Sequence, residues 1–259
     1  MRPKKHLGQH FLTAPTFARR IAEAVPEKTD KENVLEIGPG KGALSIYLKE
    51  RFPDFHLVEV DSEAIEQLRA KLGEGSYTIH HADVLEFDFS TTGFPLHVVG
   101  NLPYSIGAMI IKKTLLLGNN ILSCTFMVQR EVAERIVSAP HSKTNGFLSI
   151  FCSFFGTPRI LFHVPPGAFF PRPNVESSVF QIITDKELDK KLEPSCWEPF
   201  FSFVSKGFSQ RRKQLSKVLG NDQATKEKIR NHLMQLGLDP LSRPEDLGVN
   251  EWLSLFKLR

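Results

Sequence analysis

The stretch NVLEIGPGKGALSIYLKERFPDFHLVEV, residues 33–60, decides the fold by its alternation of element types. Its apolar pattern predicts a strand over 33–37, a glycine-rich turn, a helix over 44–51 and a second strand over 55–60. The same alternation continues, with strands predicted over 77–80, 96–99 and 121–128 and helices over 64–72, 106–117 and 131–137. Such a pattern is typical of a parallel sheet with right-handed crossovers, so we expect an α/β, Rossmann-like fold.

The pattern changes after the fifth strand. The runs 147–155, 159–163 and 175–183 have the composition of strands without intervening helices, which predicts an antiparallel edge on the sheet. Beyond about residue 186 the sequence becomes helical, over 197–206, 210–219, 225–236 and 251–258. We therefore expect two domains, an α/β domain over 1–185 and a small all-helical domain over 186–259.

Composition limits the class of protein. Of 259 residues 41% are apolar, which suffices for a full core, and no apolar run reaches the ~18 residues that span a bilayer. The N-terminus lacks the apolar segment of a secretory signal. Cys124, Cys152 and Cys196 are scattered and odd in number, which favours reduced, packed thiols. We expect a cytoplasmic protein with no membrane contact and no metal site.

Charge is unevenly distributed along the chain. The net charge is +4 over residues 1–28, −4 over 29–185 and +4 over 186–259, and +4 for the whole chain. Basic ends around an acidic middle would suit a polyanion held from two sides. Ordinary solvated helix surface is the alternative, and charge alone does not separate the two. Oligomerisation leaves no sequence signature here, so we expect a monomer.

A glycine-rich loop, EIGPGKG over residues 36–42, follows the first predicted strand. Glycines let the backbone approach a ligand, and the following helix offers its N-terminus, so the loop predicts a nucleotide or nucleoside site. Gly38, Gly40 and Ala43 also match G-x-G-x-x-A loosely. A dinucleotide enzyme therefore remains open on this loop alone, as does a plain glycine-rich turn.

Two carboxylates follow the next two predicted strands. Glu59 ends the second strand, 21 residues past Gly38, where a carboxylate can accept both ribose hydroxyls of a nucleoside. Asp83 follows the third strand, where it can accept from an adenine amino group. Asp61 is better explained as a helix cap. The set predicts a nucleoside lying across the top of the sheet, although Asp83 by itself is also an ordinary loop residue.

The tetrapeptide Asn101-Leu102-Pro103-Tyr104 follows the strand predicted over 96–99. An amide side chain, a proline-fixed turn and an aromatic ring thus lie together at the edge of the sheet where ligands bind. An aromatic amine is a poor nucleophile because its lone pair is delocalised into the ring. An amide oxygen and a main-chain carbonyl can accept its two N–H bonds and favour a pyramidal nitrogen, while the tyrosine stacks on the base. The alternative is a simple turn.

These strand ends resemble those of S-adenosylmethionine-dependent methyltransferases that act on exocyclic amines. Three further segments sharpen the resemblance to the rRNA adenine N6-dimethyltransferases. KHLGQHFL, residues 5–12, is similar to their G-Q-N/H-F-L segment, and FFPRPNVES, residues 169–177, to their F-x-P-x-P-x-V-D/N-S stretch. FSQRRK, residues 208–213, resembles their basic helical-domain segment. The resemblance is greatest to the bacterial 16S rRNA enzymes of the kasugamycin-sensitivity type. This chain differs from the family at two positions: His10 replaces the more usual Asn, and Glu176 replaces the more usual Asp or Asn.

The resemblance implies a class I methyltransferase sheet and S-adenosyl-L-methionine as cofactor. Gly38, Glu59 and Asp83 would then meet its methionine end, ribose and adenine respectively. Gln9, His10 and Leu12 would close over the cofactor, and His10 and Leu12 would touch it. The cofactor-binding residues implied are His10, Leu12, Gly38, Glu59, Asp83 and Asn101.

The resemblance also implies how the substrate is held. Asn101 and Leu102 would bind the target amine, while Tyr104 and Phe169 would stack on the two sides of the target adenine. The FSQRRK segment would contact RNA phosphates through Arg211, Arg212 and Lys213, with a solvated helix face as the alternative.

The expected activity is transfer of two methyl groups to N6 of adenines in 16S rRNA, a neighbouring pair near the 3′ end. The expected partner is 16S rRNA in a small ribosomal subunit precursor. Two alternatives remain at this point, a 23S rRNA adenine methyltransferase conferring antibiotic resistance and a ribosome-assembly factor that acts mainly by binding. DNA and protein-amide methyltransferases favour a second proline at the position of Leu102.

Overall fold

The structure is a computed structural model that describes residues 10–258, and it contains one large and one small sheet. The large sheet has the strand order β4-β3-β2-β5-β6-β9-β7, and β1 pairs with β8 in the small one. The strands are β1 (Phe11–Leu12), β2 (Asn33–Ile37), β3 (Phe55–Glu59), β4 (Tyr77–His81), β5 (Leu96–Asn101), β6 (Ile121–Gln129), β7 (Gly156–Val164), β8 (Phe169–Phe170) and β9 (Ser177–Thr184).

Helices connect and follow the strands. They are α1 (Pro15–Ala24), α2 (Ser45–Arg51), α3 (Ser62–Leu72), α4 (Gly107–Leu115), α5 (Arg130–Ile136), α6 (Phe147–Phe155), α7 (Leu188–Lys191), α8 (Trp197–Phe208), α9 (Leu215–Leu219), α10 (Gln223–Gln235) and α11 (Val249–Lys257). None of those between residues 10 and 258 is long and apolar enough to cross a bilayer.

The predicted mostly parallel sheet is confirmed. Strands β2 to β6 pair in parallel, and β9 pairs antiparallel with both β6 and β7, which is the predicted antiparallel edge. Strands of parallel sheets are covered on both faces, so they read as continuous apolar runs, and Val34 and Leu35 are fully buried. Parallel pairing also brings the carboxyl ends of β2, β3, β4 and β5 to one edge of the sheet.

The contacts within the chain divide it into two compact units. Unit 1 runs to Ala133 and resumes over Gly156–Lys186; unit 2 takes Glu134–Phe155 and the chain from Glu187 onward. The domain boundary expected near residue 186 coincides with the point where the chain last changes unit, between Lys186 and Glu187. Residues 134–155, which the sequence placed in the first domain, are part of unit 2.

The strand predicted over 147–155 is wrong, because this segment is helix α6. The run FLSIFCSFF lacks the polar alternation that separates a strand from a buried helix, and seven of its nine residues are buried. The rings of Phe147 and Phe151 lie 5.8 Å apart and those of Phe151 and Phe155 5.2 Å apart. This i, i+4 spacing forms one helical stripe.

Aromatic packing fills the core of unit 2. The Phe151 and Phe201 ring centroids are 4.5 Å apart, and Phe154 contacts Trp197 edge to face at 5.6 Å. Trp252 is fully buried against Phe208. A Cβ added to Gly207, one residue before the end of α8, would lie well inside van der Waals contact with the indole of Trp252. The glycine therefore permits close approach of α8 to α11.

We predict that Gly207→Ala destabilises unit 2, although alanine is the better helix former by ~1 kcal/mol. The added methyl overlaps a buried indole that cannot move aside, and overpacking of this kind costs about 1–3 kcal/mol. Thermal unfolding measures the change, with Ser205→Ala on an exposed position of the same helix as control. Equal or higher stability of the Gly207 variant would contradict the packing argument.

Candidate active site

A cavity of about 580 Å³ opens in unit 1 at the carboxyl ends of β2, β3, β4 and β5. Ligands of open α/β sheets bind at this edge, where the strand order reverses between β2 and β5. The cavity is within the size range of small-molecule and cofactor sites. Of the residues predicted to bind cofactor or target, those lining it are His10, Leu12, Gly38, Glu59, Asp83, Asn101, Leu102 and Tyr104.

The glycine loop brings bare backbone to the cavity. Gly38 has φ +64°, and a Cβ added to it would meet nothing within 4 Å. Gly40 has φ +52°, and its N–H donates a hydrogen bond of 3.0 Å to Oε2 of Glu59. Positive φ is easily adopted by glycine alone, which explains the residue type at both positions. The loop is thus tied to the end of β3, and Gly38 leaves room for a ligand.

Glu59 is held rigidly at the end of β3. Its Oε1 accepts the backbone N–H groups of Val60 (2.9 Å) and Asp61 (3.0 Å), in addition to the Gly40 bond on Oε2. Burial raises the pKa of Glu59, and these three backbone hydrogen bonds oppose that rise. A carboxylate offers about four acceptor sites, so capacity for a further donor remains. Asp61 caps α3 by accepting the Glu63 N–H at 3.1 Å, as the sequence suggested.

Asp83 lies just after β4. Its Oδ1 accepts the Leu85 N–H at 2.8 Å, which forms a local turn, and the residue is exposed at the cavity. One carboxylate oxygen is thus engaged in the loop while the other has spare acceptor capacity. The local role of a loop aspartate and a ligand-binding role are compatible here.

Asn101, the last residue of β5, has an oriented side chain. Its Nδ2 donates to the main-chain carbonyl of His10 at 3.0 Å, so the amide oxygen occupies the opposite branch of the planar group. Strand β5 approaches β2 closely at this end, because a Cβ on Gly100 would lie 2.6 Å from the Ile37 carbonyl oxygen. The glycine before Asn101 thereby brings the amide next to the glycine loop.

The residues after Asn101 form a fixed corner. The Leu102 N–H donates to the Met127 carbonyl at 3.0 Å, which sets the direction of the peptide that follows. The Tyr104 hydroxyl is hydrogen-bonded to Ser177 Oγ at 2.7 Å, and burial raises the pKa of the phenol. The Tyr104 and His10 rings stack, with centroids 5.2 Å apart and planes inclined by 27°.

Phe169 and Arg211 have other contacts in the structure than the ligand contacts expected from the sequence. Phe169 is only 4% exposed and belongs to the core of unit 1, whereas its neighbour Phe170 is 63% exposed and lines the cavity. Arg211, in unit 2, donates from Nη2 to the carbonyls of Lys143 (2.9 Å) and Asn145 (2.7 Å), so part of its donor capacity is used internally.

The remaining predicted residues are placed as follows. Arg212 and Lys213 are exposed on unit 2, in the turn between α8 and α9. Gln9 lies outside the described residues. Among residues 10–258, no group of three or more His, Cys, Asp or Glu side chains is arranged to hold a metal ion.

Glu36 is a cavity residue to which the sequence assigned no role. It lies in β2, is 2% exposed and lines the cavity, and its Oε2 has no hydrogen-bond partner in the described part of the chain. Burial raises the pKa of Glu36 to about 8; the Ser45 hydroxyl and Lys71 ammonium oppose the rise, and Glu59 adds to it. A carboxyl inside the apolar run NVLEI was the available signal, since both faces of such a strand are covered.

We predict that Glu36 makes stability depend on pH. Its folded pKa lies above the ordinary value of 4.5, so its contribution to stability is full below that value and is lost as pH rises through about 8. Glu36→Gln removes the ionisation, so the stability of this variant relative to wild type should increase from about pH 5 to about pH 8. Urea unfolding at several pH values measures this. Glu50→Gln, at an exposed carboxyl, is the control, and parallel curves for Glu36→Gln and wild type would contradict the prediction.

Known proteins are similar to this chain in sequence and in fold. The family model described as ribosomal RNA adenine dimethylase matches residues 1–259. "Ribosomal RNA small subunit methyltransferase A" of Chromobacterium violaceum is 38% identical, over 98% of this chain and 94% of its own length. The protein of the same name from Aromatoleum aromaticum is 36% identical, over 98% and 93%.

Two solved structures show the same fold. A dimethyladenosine transferase from Plasmodium falciparum superposes with a TM-score of 0.80 at 21% identity, over 95% of this chain and 96% of that one. The 23S rRNA methyltransferase ErmE superposes with a TM-score of 0.75 at 24% identity, over 96% and 98%. Because the family model matches the full length of the chain and relatives at 36–38% identity cover nearly all of it, this chain belongs to the ribosomal RNA adenine dimethylase family.

Proposed function

We propose that the protein dimethylates N6 of adenines in 16S rRNA with S-adenosyl-L-methionine as methyl donor, acting on two adjacent adenines near the 3′ end. Family membership and relatives named for the small-subunit RNA support this proposal. The structural observation that carries it is the oriented amide of Asn101 at the edge of a nucleoside-sized cavity. The reaction belongs to small-subunit biogenesis, and the protein acts as a cytoplasmic monomer on a subunit precursor.

The residues present fit this cofactor. When bound, S-adenosyl-L-methionine supplies a methyl group made electrophilic by a positively charged sulfur. Glu59 has an acceptor site left for ribose hydroxyls, and its oxygens are already fixed by three backbone N–H groups. Gly38 leaves open space beside its backbone for the methionine end. Asp83 offers a carboxylate oxygen to the adenine amino group, and His10 and Leu12 cover the site from the N-terminal side.

Asn101 and Leu102 prepare the nucleophile. The amide of Asn101 gives its N–H to His10, which leaves its oxygen to accept from the target amine. A second acceptor, the carbonyl of Leu102, takes the other N–H. Two acceptors draw the nitrogen out of conjugation and stabilise the positive charge that it gains in the transition state. The new N–C bond forms as the methyl leaves sulfur, and the amine then loses one proton to solvent, so positioning supplies most of the rate.

Tyr104 holds the base after it has left its stack in the RNA. A base must be extruded to reach a pocket of this kind, which costs unstacking energy. Stacking on an aromatic ring returns about 1–3 kcal/mol per base. The hydroxyl group of Tyr104 is hydrogen-bonded to Ser177, which restrains the ring. In this proposal the aromatic ring stacks on the base, and the hydroxyl group does not contact it.

We predict that Asn101→Ala lowers the rate of methyl transfer by about 10²–10³-fold, the cost of removing one group that stabilises transition-state charge. Cofactor affinity should change far less, because Glu59, Asp83 and the glycine loop remain. Transfer to small-subunit RNA and cofactor titration measure the two quantities. Asn120→Ala, at an exposed turn, is the control. Retained turnover of Asn101→Ala would remove Asn101 from the mechanism.

The substrate is tested by mass spectrometry of rRNA after incubation with labelled cofactor and isolated ribosomal subunits. We expect label as N6,N6-dimethyladenosine in the RNA of the small subunit alone. Label in the large-subunit RNA would contradict the proposed substrate while leaving the chemistry intact.

Unit 2 supplies RNA contacts in this proposal. Arg212 and Lys213 are exposed, whereas Arg211 is anchored to carbonyls of its own unit. Phosphate contacts release counterions, so RNA affinity should fall with salt.

We predict that the double variant Arg212→Glu/Lys213→Glu binds rRNA more weakly and with a shallower salt dependence, by roughly 0.7–0.9 in log–log slope for each phosphate that is no longer neutralised. Lys190→Glu/Lys257→Glu is the control, because it changes net charge equally at two other exposed positions of unit 2. Equal effects of the two pairs would reduce the result to net charge and contradict a local contact.

A further inference from the structure

The two-stranded sheet of β1 and β8 has one face in the core and one at the cavity. Its register pairs Leu12 with Phe169 and Phe11 with Phe170. Side chains alternate between faces along a strand, so each pair shares a face. Leu12 and Phe169 are 6% and 4% exposed, and both belong to the core of unit 1. The other pair, Phe11 and Phe170, therefore lies on the opposite face, where both rings line the cavity; Leu12 also borders the cavity, whereas Phe169 does not.

The two rings on the cavity face are engaged differently. Phe11 packs on the glycine loop: Lys41 Nζ lies 4.9 Å from its ring centroid, and a Cβ on Gly40 would be 3.1 Å from its Cε1. Phe170 is 63% exposed, and no ring or cation contact with it occurs in the part of the chain that the structure describes. The ring of Phe170 is therefore accessible at the cavity wall, and an accessible aromatic ring offers a face on which a nucleobase can stack.

Phe170 is linked to the wall that carries Tyr104. The carbonyl of Pro171, the next residue, is 2.8 Å from Nδ1 of His10, and the His10 ring stacks on Tyr104. The stacked pair is partly buried, whereas Phe170 is mostly exposed. A strand of RNA that delivers one base to the Tyr104 wall must place the adjoining nucleotide outside it, at the exposed rim of the cavity.

We propose that Phe170 is a stacking site for the nucleobase next to the target adenine in the same RNA strand. The inference rests on the proposed function, because it takes an extruded base as the occupant of the cavity. Extrusion leaves the neighbouring base without a stacking partner on one side, and an exposed phenylalanine at the rim replaces that partner. Arg172, on the same loop, is available for the phosphate between the two nucleotides.

The first test compares Phe170→Ala with Phe170→Tyr, which keeps the ring. With the shortest rRNA fragment that wild type methylates, Phe170→Ala should raise KM about tenfold or more, as expected for loss of one base–aromatic stack. Its kcat at saturating RNA and its cofactor affinity should stay near wild type, and Phe170→Tyr should restore KM. An unchanged KM for Phe170→Ala would overturn the proposal. Val175→Ala, at an exposed apolar position near β8, is the control.

The second test identifies the base. 2-Aminopurine next to the target should be quenched on binding to wild type and Phe170→Tyr but not to Phe170→Ala. An abasic residue at that place should weaken binding to wild type about as much as Phe170→Ala does, and it should add little in that variant, because both changes remove the same stack. Coupling of Phe170 to the target base instead of its neighbour would overturn the assignment.

The two proposals fail in different ways. The fluorescence and binding measurements need no methyl transfer. Coupling at Phe170 in a wild type that binds the RNA without methylating it would therefore contradict the proposed function and not the stacking site. An active wild type with no coupling at Phe170 would contradict only the present inference.

Discussion

The hydrogen bond from the Asn101 amide to the His10 carbonyl joins the parts of the chain on which the cavity depends. A primary amide presents a donor and an acceptor on opposite branches, so fixing one branch fixes the other. The same His10 is bonded through its ring to the Pro171 carbonyl and stacks on Tyr104. Three segments that are far apart in sequence thus position one another, and the acceptor at the end of β5 has its direction set before any ligand arrives.

Much of the site could be predicted because it follows from strand order. Parallel strands end at one edge, so Glu59, Asp83 and Asn101 were expected to meet there, and the structure places all three around one cavity. Glu36 was missed because a strand covered on both faces hides a carboxyl among apolar neighbours. Its burial depends on helices that a local pattern does not reveal.

The features that the sequence does not predict depend on contacts across long sequence separations. Whether Phe169 or Phe170 faces the cavity depends on which of them lies opposite Leu12, more than 150 residues earlier, and a shift of one residue would exchange their faces. The sequence predicts a strand where helix α6 lies, because the apolar run has no helical period. The burial of α6 depends on aromatic rings from α8. Composition identifies such residues as core without saying which core they belong to.

Because residues 134–155 belong to unit 2, that unit is built from two separate segments of the chain. The chain passes between units three times, and the visiting segment supplies Phe147, Phe151 and Phe154 to a core otherwise built from the C-terminal helices. A fragment starting at Glu187 would lack those rings and leave a hollow among Trp197, Phe200 and Phe201. The helical unit therefore cannot be separated by a single cut in the chain. Gene fusion or recombination at residue 186 would transfer the basic turn without residues 134–155, whose carbonyls bind Arg211.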